Sequence, residues 1–187
     1  MIITQRFIQF FTVFILVITA GMGCSDNSSS ADFPDNGSNF DSGEANVDVT
    51  GSISDEHTGA AFFVHNPHSF TIHLGGHDDD DFDVDITIVD LENGVSFPST
   101  GTFSIGNLDS DDYRADYVNR RLGGSFFGDH HYTSDLAGGD GLLILEMVTG
   151  NLISGSFKFV ASIGVDADGE PLDVVTVSGE FSAVLDE

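Results

Sequence analysis

The feature that most restricts the fold is a strict alternation of apolar and polar residues, which recurs from Val47 to the end of the 187-residue chain. Apolar residues take every second position from Phe70 to Leu74, and again from Phe82 to Ile88. A period of two is typical of half-buried β-strands, whereas a surface helix repeats its apolar residues every 3.6 positions. No window between residues 47 and 187 has convincing helical periodicity. The sequence therefore predicts an all-β domain.

The spacing of these segments indicates the architecture. Glycine-containing turns separate about nine or ten short strands, and such spacing is typical of an antiparallel β-sandwich or a lipocalin-like barrel. The clearest unit is a long terminal hairpin, in which residues 153–165 and 175–185 flank an Asp-Gly-Pro turn at 166–171. Residues 142–148 are apolar on both faces apart from Glu146, which favours a central strand. The pattern leaves the choice between sandwich and closed barrel open.

The first 24 residues have a different character. Arg6 and the amino terminus precede an uninterrupted apolar run from Phe10 to Ala20, and small residues then lead to Cys24, the one cysteine of the chain. This segment resembles a bacterial lipoprotein signal peptide, in which the residue after the cleavage point is a lipid-modified cysteine. A membrane-spanning helix is the alternative, but it needs roughly 20 apolar residues and this core is shorter.

The resemblance implies the organisation of the whole chain. Residues 1–23 would be removed as a signal peptide, and Cys24 would carry the lipid that anchors the exported protein to a cell membrane. Residues 24–46 are rich in Ser, Asp, Asn and Gly, which predicts a disordered tether. Residues 47–187 would form a single all-β domain. Ser25 favours the outer membrane, because lipoproteins held at the inner membrane often have Asp at that position.

The end of the chain supports a second resemblance. The segments ISGSFKF at 153–159 and VVTVSGEFSAV at 174–184, with Gly101-Thr102-Phe103 before them, are similar to the corresponding strands of small uncharacterised bacterial lipoproteins with an all-β domain. This resemblance implies a surface lipoprotein without a known activity. No catalytic residue is carried over from it.

The charge of the chain restricts its partners. It has 31 acidic residues against five lysines and arginines, which gives a formal net charge of -26 at pH 7. A field of this sign repels nucleic acids and anionic lipid headgroups, so both are excluded as expected partners. The partners that remain are the membrane, reached through the N-terminal lipid, and a divalent cation, a small ligand or a surface protein.

One stretch could bind a metal ion. His77 is followed by four aspartates, Asp78, Asp79, Asp80 and Asp81, in the expected loop between the strands that end at Leu74 and begin at Phe82. Imidazole nitrogens suit zinc, and clustered carboxylates suit calcium. These five residues are therefore the candidate calcium or zinc ligands. A solvated acidic loop is the alternative that we favour, because four adjacent side chains converge on one ion only in a dedicated loop.

Other polar groups receive simpler interpretations. Asp166 to Glu170 lacks the distal glutamate of a calcium loop, so we expect a hairpin turn there. Asp129, His130 and His131 are expected in a surface loop. Glu146, the lone charge of its strand, is expected to face solvent.

No established nucleophile or metal signature is present, and no cofactor is expected beyond a possible calcium or zinc ion. We therefore predict a non-enzymatic structural or binding module at the cell surface or facing the periplasm. A divalent-cation-binding lipoprotein that uses the His/Asp-rich loop is the first alternative. A lipocalin-like carrier of a small ligand is the second.

Overall fold

The computed structural model describes residues 42–76, 80–106, 112–123, 130–136 and 141–186. The predicted signal peptide, Cys24 and the predicted tether up to residue 41 lie outside the described residues. The strands are β1 (Glu44–Gly51), β2 (Asp55–Asn66), β3 (Ser69–Gly75), β4 (Phe82–Val89), β5 (Gly101–Ile105), β6 (Arg114–Asn119), β7 (His131–Thr133), β8 (Gly141–Val148), β9 (Leu152–Ala161), β10 (Gly164–Val165), β11 (Pro171–Leu172) and β12 (Val175–Leu185).

Apart from the strands, these ranges contain two single-turn 3-10 helices, Arg120–Leu122 and Ser134–Leu136, and no α-helix. The predicted all-β fold is therefore confirmed. In the described part of the chain, no helix has the length and apolar character that a membrane crossing requires.

Ten strands form one sheet in the order β5-β8-β9-β12-β1-β2-β3-β4-β6-β7, and β10 pairs with β11 in a separate ribbon. Every neighbouring pair in this order is antiparallel. Beyond the start of β1, β12 also pairs directly with β2 in parallel, through Val184 and Phe62 and through Leu185 and Phe63. The sheet curls into a half-barrel, which is consistent with an all-β sandwich or barrel.

The two ends of the sheet meet along a seam. At one edge of the sheet, Ile105 of β5 forms a β-bridge to Tyr113, the residue before β6. At the other end, Thr133 of β7 exchanges two backbone hydrogen bonds of 2.9 and 3.1 Å with Ser162, the residue after β9. These two isolated bridges pair part of the edges that a flat sheet of this length would leave open.

One face of the strands carries the core, as the alternation predicted. The strands that the sequence analysis identified bury most of their apolar parity and leave most of the other parity at least partly exposed. The exceptions on the other parity include the buried polar residues Asp83, Ser156 and Ser182. Large aromatic side chains fill much of the interior, and each is at most 1% exposed: Phe63, Phe70, Phe82, Tyr117, Phe157, Phe159 and Phe181. Burial of such a side chain stabilises the fold by about 1.5–3 kcal/mol, so these aromatic residues contribute much of the packing energy of the domain.

The boundaries of the elements differ slightly from those predicted. β1 begins at Glu44, three residues before Val47, because Ala45 is fully buried between its register partners Phe181 and Gly59. The terminal hairpin is confirmed as β9 and β12, with the β10-β11 ribbon inserted in its connection. At the tip of that ribbon, backbone hydrogen bonds from Asp166 N to Glu170 O and from Gly169 N to Asp166 O close the expected hairpin turn. Asp166 Oδ1 stabilises it by accepting hydrogen bonds from the backbone N–H groups of Asp168 and Glu170.

β8 lies between β5 and β9, so its predicted interior position is confirmed, and Glu146 is exposed as expected. The register of β8 against β9 shifts between Leu145 and Met147, which marks a β-bulge. Gly155 of β9 lies opposite this bulge. A Cβ at Gly155 would be 3.2 Å from the Cα of Leu145 and still closer to the carbonyl oxygen of Ile144.

Replacement of Gly155 by alanine should therefore destabilise the domain strongly. The added methyl group would meet backbone atoms that cannot rotate away, so β8 and β9 would have to separate. We expect a loss of about 3 kcal/mol in the free energy of unfolding, at the upper end of overpacking costs. Urea unfolding followed by circular dichroism measures it.

Gly150→Ala is the matched control, because nothing lies within 4 Å of a Cβ at that position. Its free energy of unfolding should stay within about 0.5 kcal/mol of the wild-type value. Equal stability of the two variants would contradict the close approach of β8 and β9 at Gly155.

Candidate functional site

The candidate metal loop connects β3 to β4, as predicted. His77, Asp78 and Asp79 lie outside the described residues, whereas Asp80 and Asp81 are described. Asp81 is committed to other partners: its Oδ1 is 2.8 Å from His57 Nδ1, and its Oδ2 accepts a hydrogen bond of 2.6 Å from Arg121 Nε. Among the described residues, no group of three or more His, Cys, Asp or Glu side chains could hold a metal ion. Metal binding by this loop stays a prediction.

His57 is the centre of a buried polar cluster that the sequence analysis missed. Its side chain has no exposed surface, its ring stacks on Phe82 at a centroid distance of 4.6 Å, and its Nε2 lies 3.0 Å from the Tyr117 hydroxyl. An ionised Asp81 can only accept hydrogen bonds, which assigns a proton to His57 Nδ1. In the tautomer that carries its proton only at Nδ1, His57 Nε2 accepts a hydrogen bond from the Tyr117 hydroxyl. We call Asp55, His57, Asp81, Tyr117, Asn119 and Arg121 the His57 network.

The end of β6 supplies the rest of this network. The guanidinium of Arg121 binds Asp55 Oδ1 at 2.6 Å as well as Asp81, and the backbone N–H groups of Arg120 and Arg121 donate to the Asp81 carbonyl oxygen. Asn119 donates to Asp55 Oδ2 at 3.3 Å, while its own Oδ1 accepts from the backbone of Leu122 and caps the 3-10 helix. The short helix after β6 thus turns the chain so that its backbone and side chains meet the β3-β4 loop.

Glycine leaves the space that the network needs on β2. Gly59 follows His57 on the same face of the strand, and a Cβ there would lie 2.8 Å from Phe82 Cε1 and 2.9 Å from Asp80 Oδ1. Because Gly59 has no Cβ, there is room for the ring of Phe82 to lie flat against His57 and for the carboxylate of Asp80 to lie close to β2. The sequence signal for this site is the parity of His57, which is that of the buried Ala61 and Phe63.

Two carboxylates near the start of β4, Asp81 and Asp83, have pKa values that the fold shifts in opposite directions. Burial acts to raise the pKa of Asp81, but hydrogen bonds from Arg121 and His57 outweigh it and hold the pKa below its usual value of 3.8. Burial dominates at Asp83 and raises its pKa, although Arg120 binds both of its oxygens at 2.5 and 2.8 Å. Burial likewise raises the pKa of Tyr117. The fold therefore favours the ionised form of Asp81.

An Asp-His-Tyr chain can relay a proton when its last group reaches a substrate. Tyr117 has no exposed surface, so its hydroxyl contacts only protein groups here. The arrangement instead joins the start of β2, the loop before β4 and the end of β6. We assign the His57 network a structural role in closing this end of the sheet.

A second polar group lies on the outer face of the sheet. Asp85 of β4 and Asp116 of β6 are direct register partners, and each has its own imidazole: His73 Nδ1 lies 2.6 Å from Asp85, and His131 Nε2 lies 3.0 Å from Asp116. Burial acts to raise the pKa of Asp116, but His131 and Arg114 lower it below its usual value. His131 was expected in a surface loop, and it lies instead on β7, where it pairs with Asp116. His130 precedes that strand, and Asp129 lies outside the described residues.

At the other end of β4, a cleft of about 380 Å³ opens beside the seam. It lies between the edge strand β5, the segment 90–99 and the residues that precede β6, and we call it the β4-β5 cleft. Its apolar lining consists of Ile88, Val95, Phe97, Pro98, Phe103 and Tyr113. Its polar lining consists of Asp90, Gly94, Ser96, Ser99, Ser104 and Asp112. The volume falls in the range of small-molecule sites.

The walls of the cleft are held by defined contacts. On one side, the ring of Phe97 packs edge-on against Phe63 and Phe70, each at a centroid distance of 5.9 Å. On the other, Phe103 packs edge-on against Tyr113 at 5.6 Å. The loop is tied to the β2-β3 turn, because Val95 N–H donates to the Pro67 carbonyl at 2.9 Å and His65 donates to the Val95 carbonyl at 2.9 Å. The aromatic walls are therefore positioned before any ligand arrives.

Asp90 closes the loop at the rim. Its Oδ1 accepts hydrogen bonds from the backbone N–H groups of Glu92 and Asn93, at 2.9 and 2.8 Å. These bonds, with that of Asn93 the strongest, lower the pKa of Asp90 below its usual value, so the carboxylate is ionised at neutral pH. Glu92-Asn93-Gly94 is a typical turn sequence, but nothing in it indicates that the turn borders a cleft.

Comparisons of the chain with protein-family models, with curated proteins and with solved structures found no match. Function is therefore argued from the geometry of the site. The His57 network is enclosed by protein and the Asp85 and Asp116 pairs lie on the outer face of the sheet, whereas the β4-β5 cleft is open and lined by both aromatic and polar residues. The cleft is the candidate binding site.

Replacement of Asp81 by asparagine should test the His57 network through its dependence on pH. Because the folded state lowers the pKa of Asp81, its ion pairs stabilise the fold above the unfolded pKa, and that stabilisation is lost as the pH falls through the folded pKa. The variant should therefore be less stable than the wild type at pH 7, and the difference should vanish as the pH falls below about 3.8. Urea unfolding over this pH range measures both effects.

Asp48→Asn is the control, since it removes the same charge from an exposed position on β1. It should change stability little at any pH. A cost of Asp81→Asn that equals the cost of Asp48→Asn, or that persists unchanged at low pH, would contradict the assigned ion pairs.

Proposed function

We propose that this protein is a lipid-anchored, exported β-domain that acts as a non-enzymatic binding module and holds a small ligand in the β4-β5 cleft. The observation that supports it is the coincidence of an open cleft of about 380 Å³ with aromatic walls fixed by their own packing. Concave, largely apolar sites with a few polar groups at the rim are the usual form of small-ligand sites.

The position of the ligand follows from how the interior is used. A carrier of the lipocalin type holds its ligand inside the barrel, where side chains leave a cavity. In the described part of this sheet, large side chains such as Phe157, Phe159 and Phe181 fill the interior and are at most 1% exposed. The proposed ligand therefore binds beside the seam, where the edge of β5 diverges from the segment after β4.

The aromatic walls of the cleft are fixed by their packing, and two of their rings remain partly exposed. Tyr113, which is 4% exposed, forms part of the floor, whereas Phe97 and Phe103 are only partly buried and present ring surface to the cleft. A ligand that covers these rings removes apolar area from water at a gain of about 25 cal/mol per Å². Because packing already fixes the walls, ligand binding costs little side-chain conformational entropy.

The anchor is proposed from the sequence. The apolar run Phe10 to Ala20, the small residues before Cys24 and the polar segment after it support export, cleavage and lipid attachment at Cys24. Ser25 supports the outer membrane. A chain with a net charge of -26 is repelled by anionic headgroups, so the lipid itself would have to keep it at the membrane.

A small neutral aromatic probe should bind in the cleft. We expect indole, titrated into the purified full-length protein, to shift the methyl NMR signals of Ile88 and Val95 in a saturable manner. Ser99→Trp should weaken this binding at least tenfold, because the indole side chain would occupy the cleft without removal of a core group. Methyl NMR titration measures the dissociation constants.

Leu91→Trp is the matched control. Leu91 is 77% exposed in the same loop and does not line the cleft, so the variant adds the same bulk elsewhere and should bind indole like the wild type. Unsaturable shifts, or equal affinities in the two variants, would refute the cleft as a binding site.

Lipid attachment should depend on Cys24. In cells fed radiolabelled palmitate, we expect the wild-type protein to incorporate the label and to lose residues 1–23, whereas Cys24→Ser should do neither. Ser25→Asp should keep the label but shift the protein from the outer-membrane to the inner-membrane fraction. Incorporation of label by Cys24→Ser would rule out this cysteine as the attachment site.

A further inference from the structure

We infer that the open edge of β5 binds an extended, basic segment of another protein, which adds to the sheet as a further strand. One apolar side chain of that segment would occupy the β4-β5 cleft. This inference rests on the proposed function, because it names the class of partner for the same site. Three observations lead to it: the open backbone edge of β5, the cleft beside that edge and the charge of the chain.

β5 is the last strand at one end of the sheet, and β8 pairs with one of its edges. On the other edge, the Ser104 carbonyl accepts a hydrogen bond of 3.0 Å from Tyr113 N–H, and Gly106 N–H donates to the Tyr113 carbonyl at 2.7 Å. The backbone groups of a strand point to alternate edges with a period of two, so those of Thr102 point to the same side as those of Ser104. Among the described residues, none forms a backbone hydrogen bond with Thr102 on that side. The edge is therefore paired at its C-terminal end and open at Thr102.

This open stretch lacks the usual protection of an edge strand. Natural edge strands often carry a lysine, a proline or a bulge that prevents the addition of another strand. Residues 101–104 are Gly-Thr-Phe-Ser, without a charge or a proline, and their register against β8 is regular. Thr102 and Ser104 are exposed. An extended peptide can therefore reach the backbone N–H and C=O groups of Thr102 and form the hydrogen bonds of strand addition.

The β4-β5 cleft supplies a side-chain site beside this backbone edge. Phe103 and Ser104 line the cleft from β5, and Phe97 lines it from the segment after β4. The side chains of an added strand alternate between the two faces of the sheet, so the one beside Phe103 would point to the same face. An apolar side chain there would cover the ring surface that Phe97 and Phe103 leave exposed. Backbone pairing thus supplies affinity, and the cleft selects for an apolar side chain.

The charge of the chain identifies the partner as basic. With 31 acidic residues against five lysines and arginines, the net charge of -26 attracts cationic chains. A second copy of this protein has the same charge and would be repelled, which disfavours the pairing of two β5 edges. The attraction arises from the field of the whole protein, so it should weaken as the salt concentration rises.

A designed peptide, Lys-Val-Lys-Phe-Lys-Val-Lys, has the alternation and the charge that this edge requires. We expect it to bind the full-length protein saturably at low ionic strength, to shift the amide NMR signals of Thr102 and Ser104, and to displace indole from the cleft. The peptide Lys-Lys-Phe-Val-Val-Lys-Lys has the same composition without the alternation, and it should bind at least about tenfold more weakly. The acidic counterpart Glu-Val-Glu-Phe-Glu-Val-Glu should not bind.

N-methylation of the peptide tests the backbone pairing itself. Only every second N–H of an added strand faces β5, so methylation of one alternate set of amides should abolish binding, whereas methylation of the other set should leave it nearly unchanged. On the protein side, Thr102→Pro removes the N–H donor and should weaken peptide binding at least about tenfold without loss of indole binding. Thr102→Val keeps the donor and is the matched control, which should bind the peptide like the wild type.

Equal binding of the alternating and the scrambled peptide, or equal effects of the two methylation patterns, would overturn the inference and leave only attraction by charge. The methylated peptides test the wild-type protein, so this result does not depend on the folding of a variant. A dimer that Thr102→Pro dissociates would assign the edge to a second copy and would also overturn the inference. Indole binding without peptide binding would leave the proposed binding module intact, whereas failure of indole and of the peptide to bind would overturn both.

Discussion

The seam at which the curled sheet meets itself is the constraint on which the rest of the structure depends. A ten-stranded sheet that stayed open would expose one apolar face and two edges, whereas the curl encloses that face and brings Ile105 to Tyr113 and Thr133 to Ser162. The packing of Phe63, Phe157 and Phe181 inside follows from this closure. The two bridges are isolated, so the seam is joined at points and not by a continuous ladder. The β4-β5 cleft lies beside the Ile105–Tyr113 bridge of this seam, between β5 and the segment that follows β4.

The two ends of β4 lie in different surroundings: one end joins a closed polar network, and the other borders an open cleft. At its start, Phe82 stacks on His57, and the ion pairs of Asp81 and Arg121 hold the neighbouring loop down on the sheet. At its end, Ile88 and Asp90 border the open cleft. The polar groups form ion pairs where the structure is closed, whereas Asp90 at the open cleft accepts hydrogen bonds from its own loop. Acidic residues that look alike in sequence therefore have unlike roles.

The fold class and most strands could be predicted from the sequence because the period of two is a local signal. Val47, Ile72, Val84 and Phe157 all lie on the buried face that their parity predicts. The pairing of β1 with β12 and of β4 with β6 could not be predicted, since it depends on contacts between residues far apart in the chain. For the same reason the run of aspartates resembled a metal loop, and only the approach of Arg121 and His57 shows how Asp81 is used. His57 carried a local signal, its parity, but its partners Asp81 and Tyr117 belong to other strands. The cleft left no local signal, because its walls come from three separate segments.

The position of β12 in the sheet has a consequence for how the chain reaches its structure. β12 lies between β9 and β1 and also pairs with β2, so the last of the described strands in chain order occupies an interior place beside the first. Until it arrives, β1 lacks a partner on one side and the register of the hairpins on either flank is not fixed. Such long-range pairing makes folding slow compared with local structure. A chain that emerges N-terminus first, from a ribosome or through a membrane, therefore remains incompletely folded until β12 has emerged. Until then it keeps the conformational freedom of a partly unfolded chain.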